Sequence, residues 1–197
     1  MPAGGAVFGG YESDLGRARW IKSPDGTIMT FTYKNGSYVV NMPGGGTSTV
    51  FYARLQSVTN NHGYQLKFTY GSNTLSQGNE AAWKYPTRVT AINNAVEHCD
   101  PAADSCSLAN PWPHSDYVYS AGYSDVNLTS VTDPANRTWQ YGYEVDRLNT
   151  ITRPGASTPD VVIQNYATDS FVSSIQRGGQ TWTYANVLSG WNFRPEP

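Results

Sequence analysis

A short unit that returns along the chain with its landmarks in place constrains this sequence more than any other feature. In residues 128–143, LTSVTDPANRTWQYGY, a Leu-x-x-Val stretch leads through a polar turn into alternating aromatics. Strand side chains alternate between faces, so Trp139, Tyr141 and Tyr143 share one face. Asp133-Pro134-Ala135-Asn136 carries turn chemistry. Proline presets φ, aspartate bonds nearby backbone, and asparagine tolerates the left-handed region. Two strands and a tight turn make a β-hairpin, which alone is marginal in water and must pair with neighbours. Leu128 and Val131 lie three apart, which sends them to opposite faces of a regular strand. Either both faces are covered or a bulge intervenes.

The unit recurs. Leu55 and Val58 precede the turn Asn60-Asn61-His62-Gly63, and Leu66, Phe68 and Tyr70 then share a face; the interval from Leu55 to Tyr70 equals that from Leu128 to Tyr143. Upstream, Ser23-Pro24-Asp25-Gly26 leads to Met29, Phe31 and Tyr33. Downstream, Val172 and Ile175 lead through Gly178-Gly179 to Trp182 and Tyr184. First strands without a clear partner stand at 88–92 and 147–151. Self-similarity of this kind marks a repeat architecture, in which stacking buries what a single unit leaves open.

These units resemble the YD repeats of the RHS family, found in bacterial RHS and related secreted toxins and in animal teneurins. The matching residues are Leu128, Val131, Asp133, Pro134, Trp139, Tyr141 and Tyr143, then Leu55, Val58, Gly63, Phe68 and Tyr70, with Trp182 and Tyr184 in the last copy. The resemblance covers about residues 19–184, with a lead at 1–18 and a tail at 185–197. It implies an all-β fold in which antiparallel hairpin repeats form a spiralling sheet, part of a β-shell with few or no helices. The partners it implies are neighbouring YD repeats or an enclosed toxin or effector domain, in a secreted or cell-surface protein. The Asp-Pro-x-Gly-Leu-type motif that ends such shells is missing and no toxin domain follows, so the resemblance is to a segment or truncated member.

Composition narrows the function. Charged residues are 14% of the chain and the formal net charge is −2. Nucleic-acid binding calls for a basic patch, and there is no Lys/Arg run. No apolar stretch approaches the length of a membrane helix, so no membrane insertion is expected. Leu, Ile, Val and Phe are sparse, but 14 Tyr and 6 Trp supply apolar area. Such residues suit strands with one packed and one wet face, and the packed face is expected to be the aromatic one. An open aromatic groove for surface glycans, using Trp20 or Trp112, is the alternative.

Taken in order, 1–16 is Gly-rich and reads as a poorly ordered lead. Lys34-Asn35-Gly36 predicts a hairpin turn between strands at 27–33 and 37–42, because Asn-Gly is the strongest short hairpin signal. Pro43-Gly44-Gly45-Gly46 then breaks the pairing, and 47–53 is a further strand. Residues 71–82 read as a loop with room for a helical turn near 79–82. Residues 96–114 interrupt the rhythm as an ordered insertion. The tail is expected to fray.

The insertion holds Cys99 and Cys106, the only cysteines. In an exported protein they are read as a disulfide closing a small loop. Two free buried thiols, or zinc with His98 and His114, are the other readings, though the spacing matches no usual zinc motif. Asp100 and Asp104 lack the further ligands of a calcium loop. His62, Asp25, Asn60 and Asp133 occupy turns and need no other role. No nucleophile elbow or phosphate loop is present, so the chain reads as non-enzymatic, with no cofactor and no metal.

Overall fold

A chain of alternating side chains punctuated by Gly, Pro, Asn and Asp favours strands that double back on their neighbours. The computed structural model describes residues 7–12, 17–122, 125–165 and 172–184, and in them lie thirteen strands and one short helix. The class is all-β, as the sequence predicts. Two units divide the chain, 1–115 and 116–197. In the first, β1 (Val7–Glu12), β2 (Arg17–Lys22), β3 (Ile28–Asn41), β4 (Thr47–Asn60), β5 (Tyr64–Tyr70) and β6 (Pro86–Asn93) pair antiparallel in chain order. The helix α1 (Glu80–Lys84) lies between β5 and β6. The second unit holds β7 (His114–Ala121), β8 (Val126–Thr132), β9 (Thr138–Glu144), β10 (Arg147–Thr152), β11 (Val161–Asn165), β12 (Val172–Arg177) and β13 (Gln180–Thr183). These also pair antiparallel in order.

Four turns are built alike. The amide of the fourth residue donates to the carbonyl of the first: Gly26 to Ser23 (3.0 Å), Gly45 to Met42 (3.1 Å), Gly63 to Asn60 (3.2 Å) and Asn136 to Asp133 (2.9 Å). Each donor is left-handed, with φ of 88°, 96°, 85° and 58° respectively. Glycine adopts that region freely, and asparagine is among the few side chains that tolerate it. Three of these turns add a side-chain staple, in the first of which Asp25 Oδ1 accepts from the Thr27 amide (2.9 Å). Asn60 Oδ1 accepts from the amides of His62 (3.0 Å) and Tyr64 (2.9 Å). Asp133 Oδ1 accepts from Ala135 (2.9 Å) and Arg137 (3.0 Å), and Arg137 Nε closes on Oδ2 at 2.8 Å.

A bulge resolves the three-residue spacing. Tyr33 pairs with Leu55 and Thr32 with Ser57, so Gln56 is the extra residue and Leu55 and Val58 return to one face. The same step occurs at Thr87 between Pro86 and Val89, and at Thr129 between Leu128 and Val131. It occurs again at Asn149 between Leu148 and Ile151, and at Ser173 between Val172 and Ile175. Three of the bulged residues donate a hydroxyl to the neighbouring strand's carbonyl: Thr87 to Thr69 (3.3 Å), Thr129 to Val118 (3.1 Å) and Ser173 to Gln164 (2.9 Å). Opposite the first residue of the unit stands a tyrosine in four of the five copies: Tyr33, Tyr70, Tyr119 and Tyr143. The tyrosine that ends one unit is therefore the cross-strand partner of the next.

Three details depart from the sequence expectations. The Asn35-Gly36 turn does not form, and β3 runs straight through it. A Cβ on Gly36 would meet Trp83 Cζ2 at 3.0 Å and Leu75 at 3.1 Å, so this glycine permits close approach rather than reversal. The hairpin turns instead at Pro43-Gly44-Gly45-Gly46, which joins β3 to β4. In the stretch read as a lead, 7–12 forms β1 and pairs with β2, while 1–6 and 13–16 lie outside the described residues, as does the tail 185–197. The helical turn expected at 79–82 is α1, where Glu80 sits in the first turn, Lys84 in the last, and Trp83 is fully buried.

Candidate functional site

Directly paired residues share a face, so the ladder of the first unit defines two surfaces. One carries Lys34 and Arg54, Ser57 and Lys67, Thr59 and Gln65, then Thr90 and Ile92. The other carries Met29, Phe31, Val58, Leu66 and Ala91. The polar surface is the covered one. Gln65 and Lys67 are 2% and 3% exposed, whereas Tyr64 and Leu66 between and beside them are 57% and 44% exposed. This corrects the expectation that the Leu66 face packs. The reason is the insertion, which lies over the polar face and supplies the acceptors that its cations need.

Those acceptors are specific. Lys67 Nζ donates to the carbonyls of Asp100 (3.3 Å), Pro101 (3.1 Å) and Ala103, all within the loop closed by the Cys99–Cys106 disulfide, whose Cα atoms are 5.6 Å apart. Ser57 Oγ also donates to Pro101 O (3.0 Å). Asp104 receives Lys34 Nζ (2.7 Å), Gln56 Nε2 (2.9 Å) and Arg54 Nη2 (3.1 Å). Arg54 further donates to Ser72 O (2.6 Å) and Trp83 O (3.1 Å), and its guanidinium lies 4.1 Å from the Tyr70 ring centre and 4.8 Å from that of Trp83. Tyr70 thereby joins the core beside Arg54, 9% exposed. A buried cation without partners is costly, and the charges here are met by one carboxylate plus backbone dipoles, although Arg54 Nε and Gln56 Oε1 are buried without a hydrogen-bond partner. Burial holds Arg54 and Lys67 below their usual pKa, opposed by Asp104 for Arg54 and by Asp100 and Asp104 for Lys67. Partial burial pushes Asp104 up, but hydrogen bonds from Lys34 and Gln56 hold it below the usual carboxylate value.

The opposite surface is open and apolar. Met29, Val58, Leu66 and Ala91, with Tyr64, Trp112 and Pro113, line a groove of about 340 Å³. Trp112 is fixed by Glu97, whose Oε2 accepts its indole N–H at 2.7 Å. Glu97 also accepts from the Ala109 amide and from Asn110 Nδ2 (2.9 Å), and these donors, Ala109 first, lower its pKa to about 2. The groove lining contains no carboxylate, histidine or cysteine. It offers apolar area with a few amide groups rather than acid–base or nucleophilic chemistry.

In the second unit no described residue is fully buried. Tyr117, Val131 and Trp139 lie in line across three strands, and Tyr119 pairs with Leu128. Tyr141 pairs with Ile151 and Tyr143 with Leu148. Burial raises the Tyr143 pKa, with Tyr141 adding to it. Trp139 remains 40% exposed, and Trp182, paired with Ile175, is also exposed. The Tyr184 amide donates to Ser173 O at 2.9 Å. Phe68 pairs with Val89, Gly63 and Asp133 hold the turns described above, and Pro134 is exposed in its turn. Here too the aromatic stripe is a half-open surface among the described residues.

Of the other residues weighed from sequence, Asp100 accepts from the Ala102 amide (2.9 Å) and Asp25 from the Thr27 amide (2.9 Å), both as turn staples. His62 is exposed beside Thr27, and His114 Nδ1 lies 3.0 Å from Trp112 O. Sequence reasoning missed Lys34, Arg54, Gln56, Gln65, Lys67 and Glu97. Alternating Gln and Lys in β5 were a usable signal, since a polar face needs either water or a polar lid.

The RHS Repeat family model matches residues 123–158, which take in β8, its turn, β9 and β10. No curated protein matches the chain.

Proposed function

Because the chain belongs to the RHS-repeat family through the repeat at 123–158, we propose that this structural repeat protein serves as a scaffold that encloses or presents a toxin or effector domain, with no catalysis of its own. The observation that carries this reading is the open apolar face of Met29, Val58, Leu66 and Ala91, backed by a covered polar face. A sheet surface of that composition is suited to packing against protein, either neighbouring repeats of a spiralling β-shell or an enclosed domain. The half-open stripe at Val131 and Trp139 has the same character. Secretion or display at the cell surface accords with the disulfide, a bond that persists in oxidising compartments. No helix among the described residues is long and apolar enough to cross a membrane.

The test is co-expression of the chain with the polypeptide encoded next to it in its own reading frame or operon. A scaffold forms a stoichiometric complex that shields that polypeptide from protease, and Leu66→Asp weakens it. Absence of any complex, or substrate turnover by the purified chain, contradicts the proposal. Trp112 and Tyr64 beside the groove favour one second reading, a surface-glycan site. Binding on a glycan array that is lost in Trp112→Ala would support that reading over the first.

A further inference from the structure

We propose that the Cys99–Cys106 loop is a redox-operated latch over Lys67, opened by a dithiol without unfolding the sheet beneath it. Every carbonyl that Lys67 Nζ meets belongs to residues 100–103, inside the ring that the disulfide closes. Asp104, which neutralises Lys34 and Arg54, lies in the same ring. The ring therefore holds every carbonyl that Lys67 meets and the one carboxylate that Lys34 and Arg54 share, while Asn73 O also serves Lys34 and Ser72 O and Trp83 O also serve Arg54. The ladder below does not depend on it: Ser57–Lys67 and Lys67–Thr90 are backbone pairs between β4, β5 and β6.

The two sulfurs differ in access. Cys99 is 1% exposed, whereas Cys106 is half-buried. A dithiol thiolate attacks Cys106 Sγ, the Cys99–Cys106 bond breaks, and Cys99 leaves as a thiolate. Gln65 Nε2 lies 3.7 Å from Cys99 Sγ and donates to the departing charge. The second thiol of the reagent then displaces Cys106, so that the dithiol becomes a disulfide and the protein gains two thiols. Freed from ring closure, the 99–106 segment regains the chain entropy that the bond had removed, and its carbonyls leave Lys67. Reoxidation restores the cage. The inference is independent of the scaffold reading, since it concerns the opposite face of the sheet.

The experiment is acetylation of the intact chain by an N-hydroxysuccinimide ester, read peptide by peptide by mass spectrometry. It compares the oxidised chain, the chain reduced with dithiothreitol, and Cys99→Ser/Cys106→Ser, with Lys22 as internal reference and far-ultraviolet circular dichroism as the measure of folding. The latch predicts that Lys67 labelling rises at least about tenfold relative to Lys22 in both opened forms, with the strand signal unchanged. Equal labelling in the closed and opened forms overturns the proposal. So does loss of the strand signal on reduction, which would make the disulfide a staple of the fold rather than a latch.

Discussion

Tyr70 donates its hydroxyl to the carbonyl of Leu55, the residue that opens its own repeat, and Tyr33 does the same to Ala18 at 3.1 Å, each across fifteen residues. Tyr70 also stands opposite Pro86, which opens the following unit. One tyrosine thus closes a hairpin and seats the next, which is how a local motif becomes a continuous sheet. The bulge between the first and fourth residues makes this possible, because it returns both apolar side chains to the face the tyrosine occupies.

Thr129→Val retains the shape of the bulged residue and removes its hydroxyl bond to Val118. The expected loss is about 1 kcal/mol of stability, the ordinary worth of one such bond. Thr129→Ser should keep most of it. Denaturant midpoints of the three proteins measure the difference.

Asp133→Ala removes a turn staple and lowers the thermal midpoint, while Asp133→Asn loses less, since Asn60 makes the same two amide bonds in its own turn. The bonds from Arg137 and Ala135 hold the Asp133 pKa below 3.8 in the folded state. Its contribution is therefore full above the unfolded value and is lost as pH falls through the lowered one. Thermal melts between neutral pH and strong acid should show a smaller acid loss in the Asn variant than in the wild type, the remainder coming from other carboxylates such as Glu97 and Asp104.

Gly36→Ala tests the reading of Asn35-Gly36. The added methyl meets Trp83 and Leu75, so a cost of about 1–3 kcal/mol is expected from overpacking. Gly45→Ala instead places a side chain in open space at φ 96°, and its cost comes from backbone strain alone. Calorimetry that finds Gly36→Ala neutral would contradict the close approach.

Glu97→Gln loosens Trp112. Glu97 titrates near 2 when folded against an ordinary value of 4.5, so its hold on the indole is complete above 4.5 and lost as pH falls towards 2. The Trp112 indole N–H resonance should shift across that window in the wild type and stay flat in the variant.

Much of the local architecture was legible in the residues. The spacing of Leu128 and Val131 called for a bulge or two covered faces, and the turns at 23–26, 60–63 and 133–136 fell where expected. The covered face was not legible. In β5, Gln65 and Lys67 alternate with Leu66 and Phe68, so period two permits either face to be inside. What decides is Asp104 and the 100–103 carbonyls, far away in sequence and drawn over the sheet by a disulfide. Asn35-Gly36 misled for a similar reason: its glycine answers to Trp83, a tertiary neighbour, and not to a local turn.

The central claim is that the apolar face of the first unit is a protein-packing surface. Hydroxyl-radical footprinting of the chain, free and in complex with the polypeptide encoded beside it, tests this most directly. Met29, Leu66 and Trp112 should be oxidised readily in the free chain and protected together in the complex, with Lys67 and Gln65 unreactive in both. Equal oxidation of Met29, Leu66 and Trp112 in the two states would contradict it.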